Sequence, residues 1–447
     1  MMLVFILLVA VAFIVIATSK LKLHPFIALL IAAYGIAISV GMGYMEIAST
    51  ITKGFGGILA YIGVVIVLGT IIGVILEKSG AAIKMADVIL KVVGKKRPVL
   101  AMSVIGYIVS VPVFCDSGFV ILNALKRSMV RQLKVSGVAM SVALATGLFA
   151  THTLVPPTPG PIAAAGNLMV DNLGLVIIFG ILISIVTMLA GYFWAVRSGK
   201  IYTSGEDSLV DLEKDSEVLQ KYGELPSAFK SFAPIFIPIL LMATASIVKL
   251  SFGHMSDSAF YKLFIFLGNP TNALFIGLLF ATMLLPKFDE ERLSGWIGEG
   301  IKNAGEILII TGAGGALGAV LKASGIGTYL GDALQTLSLG IFVPFIISAA
   351  LKSAQGSSTT ALVVTSTIMY PLLANLGLDS EMGKVLTVMA IGAGAMTVSH
   401  ANDSFFWVVS RFSQMDVATA YKSYTMATLV QGLVTILIVY ILAGILL

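Results

Sequence analysis

A chain of 447 residues with 58% hydrophobic and only 11% charged residues carries too little charge to cover a soluble surface. The net charge of +5 lies in loops, so it reports membrane orientation and not nucleic-acid binding. A single cysteine and four scattered histidines leave no internal disulfide, no multi-cysteine metal site and no HExxH spacing.

Apolar runs of membrane-spanning length recur from end to end, and the alternation of an outer-membrane barrel is absent. The predicted class is an all-α polytopic membrane protein. Helices are predicted at 2–18, 24–42 and 56–76. The first lacks a charged leading region and a small-residue cleavage site, so it reads as a retained span. A basic loop follows, with Lys78, Lys84, Lys91, Lys95, Lys96 and Arg97 against Glu77 and Asp87. The next apolar run, 98–125, is interrupted by Pro112-Val113-Phe114-Cys115-Asp116-Ser117-Gly118 and ends in Lys126, Arg127, Arg131 and Lys134. Positive charge marks the cytoplasmic side, so both ends of this run belong there. One span cannot satisfy that, whereas a re-entrant hairpin over 98–134 with its tip at 114–118 does. Non-helical backbone at that depth must be buried in protein or line a wet cavity.

A broken helix is predicted over 135–170, with a half helix at 135–151, unwinding at 152–160 and a second piece at 161–170. Helix 173–197 returns to the cytoplasm. Residues 198–230 hold Glu206, Asp207, Asp211, Glu213, Asp215 and Glu217. They read as an acidic cytoplasmic linker, either a solvated loop or a surface helix. Beyond it come helices 231–251, 261–285 and 303–321, then a hairpin over 338–377 with its tip at Gln355-Gly356-Ser357-Ser358-Thr359-Thr360. A second broken helix, 384–411, unwinds at Ser399-His400-Ala401-Asn402-Asp403-Ser404, and helix 420–446 closes the chain. This gives ten full crossings and two hairpins, with both termini outside the cytoplasm.

The halves echo one another at an offset of 245 residues. Ile72-Gly73-Val74-Ile75-Leu76-Glu77-Lys78-Ser79-Gly80 matches Leu317-Gly318-Ala319-Val320-Leu321-Lys322-Ala323-Ser324-Gly325. The same offset carries Asp87 onto Asp332 and Gly69 onto Gly314. The loop after the first copy is strongly basic, whereas that after the second, 322–337, holds only Lys322. The same element thus faces opposite sides in the two halves. An inverted-topology repeat of 1–197 and 231–447 with matched breaks is the pattern of a secondary transporter.

Four polar breaks then converge near the bilayer midplane. Helix ends there leave N–H groups free, and their partial positive charge suits an anion. Gln355, Gly356, Ser357, Ser358 and Thr359 resemble an anion-binding nest, the alternative being a small-residue packing segment. In the first break, Thr151, His152, Thr158 and Gly160 are candidate substrate contacts, because its four prolines force the helix to open. Ser117 and Gly118 at the first tip, and His400 and Asn402 at the last break, complete the set. His400 is either a ligand or a buried side chain satisfied by Asp403. Lys352 either attracts an anion or snorkels, and Cys115 reads as a packing residue. Asp116, Asp403 and Glu306 are candidate proton-coupling carboxylates, since an intramembrane carboxylate is functional by default. The alternatives are helix caps for Asp116 and Asp403 and a solvated end for Glu306.

The first tip with Phe119, the segment Val155-Pro156-Pro157-Thr158-Pro159-Gly160-Pro161-Ile162-Ala163-Ala164-Ala165, Ala313-Gly314-Gly315-Ala316, and Ser399 through Trp407 together resemble the gluconate permease (GntP) family. The resemblance runs over essentially the whole chain. It implies a proton-coupled importer of gluconate or a related sugar acid in the bacterial inner membrane, with one branch carrying D-serine. Through a wider group of anion transporters it also implies elevator-type motion of residues 98–170 and 338–411 in a homodimer. Gluconate-type members carry His where Thr158 stands, and Phe-Asp-Val where Cys115-Asp116-Ser117 stands. Those smaller, more polar residues suit another hydroxy acid. The expected activity is symport of a small hydroxycarboxylate with protons. Sodium coupling or D-serine-type transport is the near rival, and an intramembrane enzyme with a His base the remote one. No cofactor is expected.

Overall fold

The computed structural model describes residues 2–19, 21–93, 96–208, 224–251, 257–287, 289–324, 340–401 and 403–447, and these contain helices and connecting turns but no strand. The opening helices are Met2–Ser19 and Pro25–Ser39, the latter started by His24, whose Nδ1 accepts from the Phe26 N–H at 3.3 Å. The third helix begins earlier than its apolar run does. It spans Tyr44–Lys78, 35 residues, or about 50 Å of helix. The polar Ser49-Thr50-Ile51-Thr52-Lys53 stretch does not delay it, because the Thr52 hydroxyl donates back to the Ala48 carbonyl at 2.9 Å.

The basic stretch expected as a loop folds into a helix, Ala81–Val93. Its apolar face, including Ala82, Met85, Ala86 and Ile89, is buried. On the other face Lys91 reaches Asp87 at 2.9 Å across one turn. Charge density masked a 3.6-residue periodicity that was present in the sequence.

The helix from Tyr44 to Lys78 packs antiparallel against Ile297–Ala323, which extends upstream through a π turn at Glu291–Trp296. Lys78 pairs with Glu299 at 2.5 Å at one end, and Gly300 abuts Ile71 in between. At the other end Gly54 faces Gly315, where a Cβ on Gly54 would lie 2.5 Å from the Gly315 carbonyl oxygen. The repeated sequences lie on this helix pair; Gly325 and Asp332 fall outside the described residues. Close small-residue contact is how membrane helices gain dispersion energy. Gly54→Leu is therefore expected to cost about 1–3 kcal/mol by overpacking and to lower the melting temperature in detergent. Gly56→Leu, at a position with open space around it, should leave it unchanged.

Each half then supplies a hairpin and a broken helix. The first hairpin is Pro98–Val109 and Cys115–Leu133; the second is Phe342–Gln355 and Ser358–Met369. The first broken helix is Gly137–Leu154 and Pro159–Asn167, buried along its whole length. Its break is shorter than the proline count suggested. Val155, next to Pro156, is extended at φ −116°, ψ 117°, as a residue before proline prefers. The helix therefore continues through Thr151 and His152 and ends at Leu154. The second broken helix is Glu381–Met396 and Ser404–Phe412.

The expected single helix at 261–285 is instead Ala259–Leu267 followed by Pro270–Thr282, bent by 63°. Pro270 cannot extend the preceding turn. Among the described residues five helices are long and apolar enough to cross a membrane, or seven if two bent pairs each count as one span. The predicted ten also include Met2–Ser19, Pro25–Ser39 and the second broken helix.

Candidate substrate-binding site

The two hairpins and the two broken helices meet around one cavity of about 290 Å³. Phe114, Cys115 and Asp116 enter from the first hairpin, and Phe149 and His152 from the first broken helix. The tip Gln355–Thr359 closes the opposite wall, and Asp403, Ser404 and Phe405 come from the second broken helix.

The tip of the second hairpin is shaped by Gly356, whose φ of +87° is left-handed and nearly free of cost only for glycine. Ser357 then caps the next helix, its Oγ accepting from the Thr360 N–H at 3.2 Å. That leaves the first-turn N–H groups of Ser358 and Thr359 without intrahelical acceptors, on residues that line the cavity. Lys352 neither snorkels nor faces the cavity. Its ammonium is fully buried and donates to the Gly356 carbonyl at 2.7 Å and to Asp403 Oδ2.

Asp403 is both a helix cap and an ion-pair partner. Its Oδ1 accepts from the Phe405 N–H at 3.0 Å, and Oδ2 accepts from Lys352 and the Ser399 hydroxyl. The second hairpin and second broken helix are thereby fastened together. His400 adds to this, its Nε2 lying 2.9 Å from the Ser353 carbonyl oxygen. It is not among the residues that line the cavity. Asp116 is held differently: among the described residues the side chains that donate to it are neutral, the Ser404 hydroxyl at 3.1 Å and the Cys115 thiol at 3.5 Å.

His152 stands in the last turn before the break, its ring stacked on Phe149 at 6.3 Å and tilted against Phe114 at 6.1 Å. Its Nδ1 is buried with no hydrogen-bond partner, and so is Nε2 of Gln355 across the cavity. Buried polar atoms are normally paired, so two unpaired ones lining one cavity mark where a polar ligand fits.

Several predicted contacts do not line the cavity. Ser117 hydrogen-bonds Glu77. Thr151 donates to the Tyr107 carbonyl at 2.9 Å, and Thr158 to the carbonyl of Val155. Gly118 and Gly160 are packing positions against Leu148 and Leu362. Glu306 is exposed beside His24 at 3.7 Å, far along the chain from any break. Asn402 lies outside the described residues. Conversely, the aromatic wall of Phe114, Phe149 and Phe405 was not singled out, because an apolar residue in an apolar helix carries no distinguishing signal. Cys115, read as packing, lines the cavity.

The GntP family permease profile matches residues 1–445. The chain belongs to the GntP permease family. The gluconate permease of Pseudomonas aeruginosa is 32% identical over 442 residues, covering 96% of each chain. The D-serine transporter DsdX of Escherichia coli K12 is 30% identical over 437 residues, again covering 96% of each. In fold, the chain is similar to MtrF of Neisseria gonorrhoeae, with a TM-score of 0.69 at 15% identity over 96% of both chains. This family member is a multi-pass membrane permease and not an enzyme, as its composition and breaks led one to expect.

Proposed function

We propose that this GntP-family permease imports a small hydroxycarboxylate together with protons, by alternating access to the cavity between the hairpin tips. The observation that carries this reading is the pair of unsatisfied atoms, His152 Nδ1 and Gln355 Nε2, lining the cavity that the helix N-terminus at Ser358 and Thr359 also faces. The substrate carboxylate takes the Ser358 and Thr359 N–H groups and Gln355 Nε2, and a substrate hydroxyl bonds His152 Nδ1. Asp116 is the coupling carboxylate, because losing its charge strands no cation, whereas losing that of Asp403 strands Lys352. Of the departures from the gluconate-type pattern, Cys115 alone lines the cavity; Ser117 and Thr158 do not. A specificity distinct from gluconate therefore rests on Cys115.

The antiparallel packing of the two repeat copies supports an inverted relation between 1–197 and 231–447. On this reading 98–170 and 338–411 form the domain that moves against the remaining helices, in a homodimer within the bacterial inner membrane.

Uptake into proteoliposomes under an imposed pH gradient, screened with gluconate, glycerate, hydroxybutyrates and D-serine in choline buffer, tests the proposal. Concentrative uptake of a hydroxy acid without sodium is expected. Uptake that needs sodium and ignores the pH gradient overturns the coupling. Preference for D-serine turns the site to the second reading, which one feature favours. Asp116 lines the same cavity as the helix N-terminus, so a zwitterion could place its ammonium there.

His152→Phe and Gln355→Ala should each raise KM about tenfold, since one ligand hydrogen bond is worth about 1.4 kcal/mol. Both proteins should melt at the wild-type temperature, because neither atom bonds the protein. Unchanged KM in both variants would remove these residues from the site.

A further inference from the structure

The stretch read as a solvated acidic linker starts inside the protein. Glu206 is 2% exposed, in the short 3₁₀ turn Gly205–Ser208. Its carboxylate lies 3.0 Å from the ammonium of Lys126, on the second arm of the first hairpin, with side-chain exposures of 1% and 0%. Lys126 also donates to Ser141 Oγ at 2.9 Å and Ser413 Oγ at 3.0 Å. Those hydroxyls belong to the start of the first broken helix and the residue ending the second. The turn makes two further attachments to the same elements. Asp207 Oδ1 accepts from the Gly137 N–H at 2.7 Å, capping the first broken helix, and the Gly205 N–H donates to the Gln414 carbonyl at 3.0 Å.

We propose that Gly205–Ser208 is a latch: the buried Glu206–Lys126 pair locks the first hairpin to both broken helices at their cytoplasmic ends, and the cavity opens to the cytoplasm only when this turn lets go. The inference rests on the alternating-access reading and adds to it the element that holds one side shut. Three of the four cavity-forming elements are tied to one short segment through Lys126, which stands about 11 residues, or roughly 16 Å of helix, from the cavity residue Cys115. A buried pair is a switchable tie, because breaking it exposes both charges to water together, whereas removing one partner strands the other.

Movement of the first hairpin's second arm releases the latch.

The chain's only cysteine is a built-in reporter, since Cys115 lines the cavity at the tip of the same hairpin. Alkylation of Cys115 by a membrane-impermeant thiol reagent is measured in inside-out and right-side-out vesicles. No substrate is needed, so a wrong substrate or coupling ion does not affect the result. Glu206→Gln should speed labelling from the cytoplasmic face at least fivefold and leave the opposite face unchanged. The exchange Lys126→Glu with Glu206→Lys should return the rate to within twofold of wild type. Ser413→Ala, which removes one hydrogen bond without stranding a charge, should give a rise of about twofold at the same face and covers the case in which Glu206→Gln does not fold. Unchanged rates in the folded variants, or equal increases from both faces, overturn the latch.

Discussion

Asp116→Asn is expected to abolish pH-driven uptake, by at least about 100-fold, while substrate counterflow continues. The asparagine keeps the size and the hydrogen bonds available to Ser404, so the junction between the first hairpin and second broken helix survives. What it loses is a group able to bind and release a proton. If each cycle must carry a proton, net transport against the gradient stops, because a step of two pH units supplies about 2.7 kcal/mol per proton. Exchange of labelled for unlabelled substrate needs only the loaded carrier to reorient, so it persists. Wild-type proton-driven uptake in this variant would sink the assignment to Asp116. Loss of both uptake and exchange would show that the carboxylate binds substrate and is not confined to coupling.

The second large effect concerns the ion pair that holds the far wall. Lys352→Met should lower stability by about 3–5 kcal/mol, the usual cost of stranding one buried charge. Asp403 would remain buried with Ser399 and one backbone N–H as donors, and the Gly356 carbonyl would lose its donor. The double change Lys352→Met with Asp403→Asn should recover most of the melting temperature in detergent, since a pair removed together leaves no charge behind. Transport should not recover with it, because the tie between tip and broken helix is gone. A single variant as stable as wild type would mean that this pair contributes nothing at the site.

Much of the site's position was legible because backbone chemistry is local. Pro156 and Pro157 supply no N–H to the preceding helix and crowd its last turn, Gly356 admits a left-handed turn, and Asp403 before Ser404-Phe405-Phe406 is an N-cap by residue type. What went unread were side-chain directions. Thr151 and Thr158 looked like ligand hydroxyls, yet each bonds a main-chain carbonyl. One residue from Thr151, His152 points into the cavity, since neighbouring positions on a helix face directions about 100° apart. The break expected at 152 began three residues later, and that put the histidine on a rigid turn.

Sequence alone determined that this is a helical membrane protein, where several of its helices are interrupted, and that it resembles the GntP permeases. Those properties follow from hydropathy, loop charge and the φ restrictions of proline and glycine, all of which act within a few residues. Tertiary structure decided which polar atoms stay unpaired at the cavity, that Lys352 neutralises Asp403 across 51 positions, and that Glu206 is buried against Lys126 80 positions away. Such pairings depend on helix rotation and on contacts between distant segments. A buried charge is tolerable only where those segments bring it a partner, and no local pattern records that meeting.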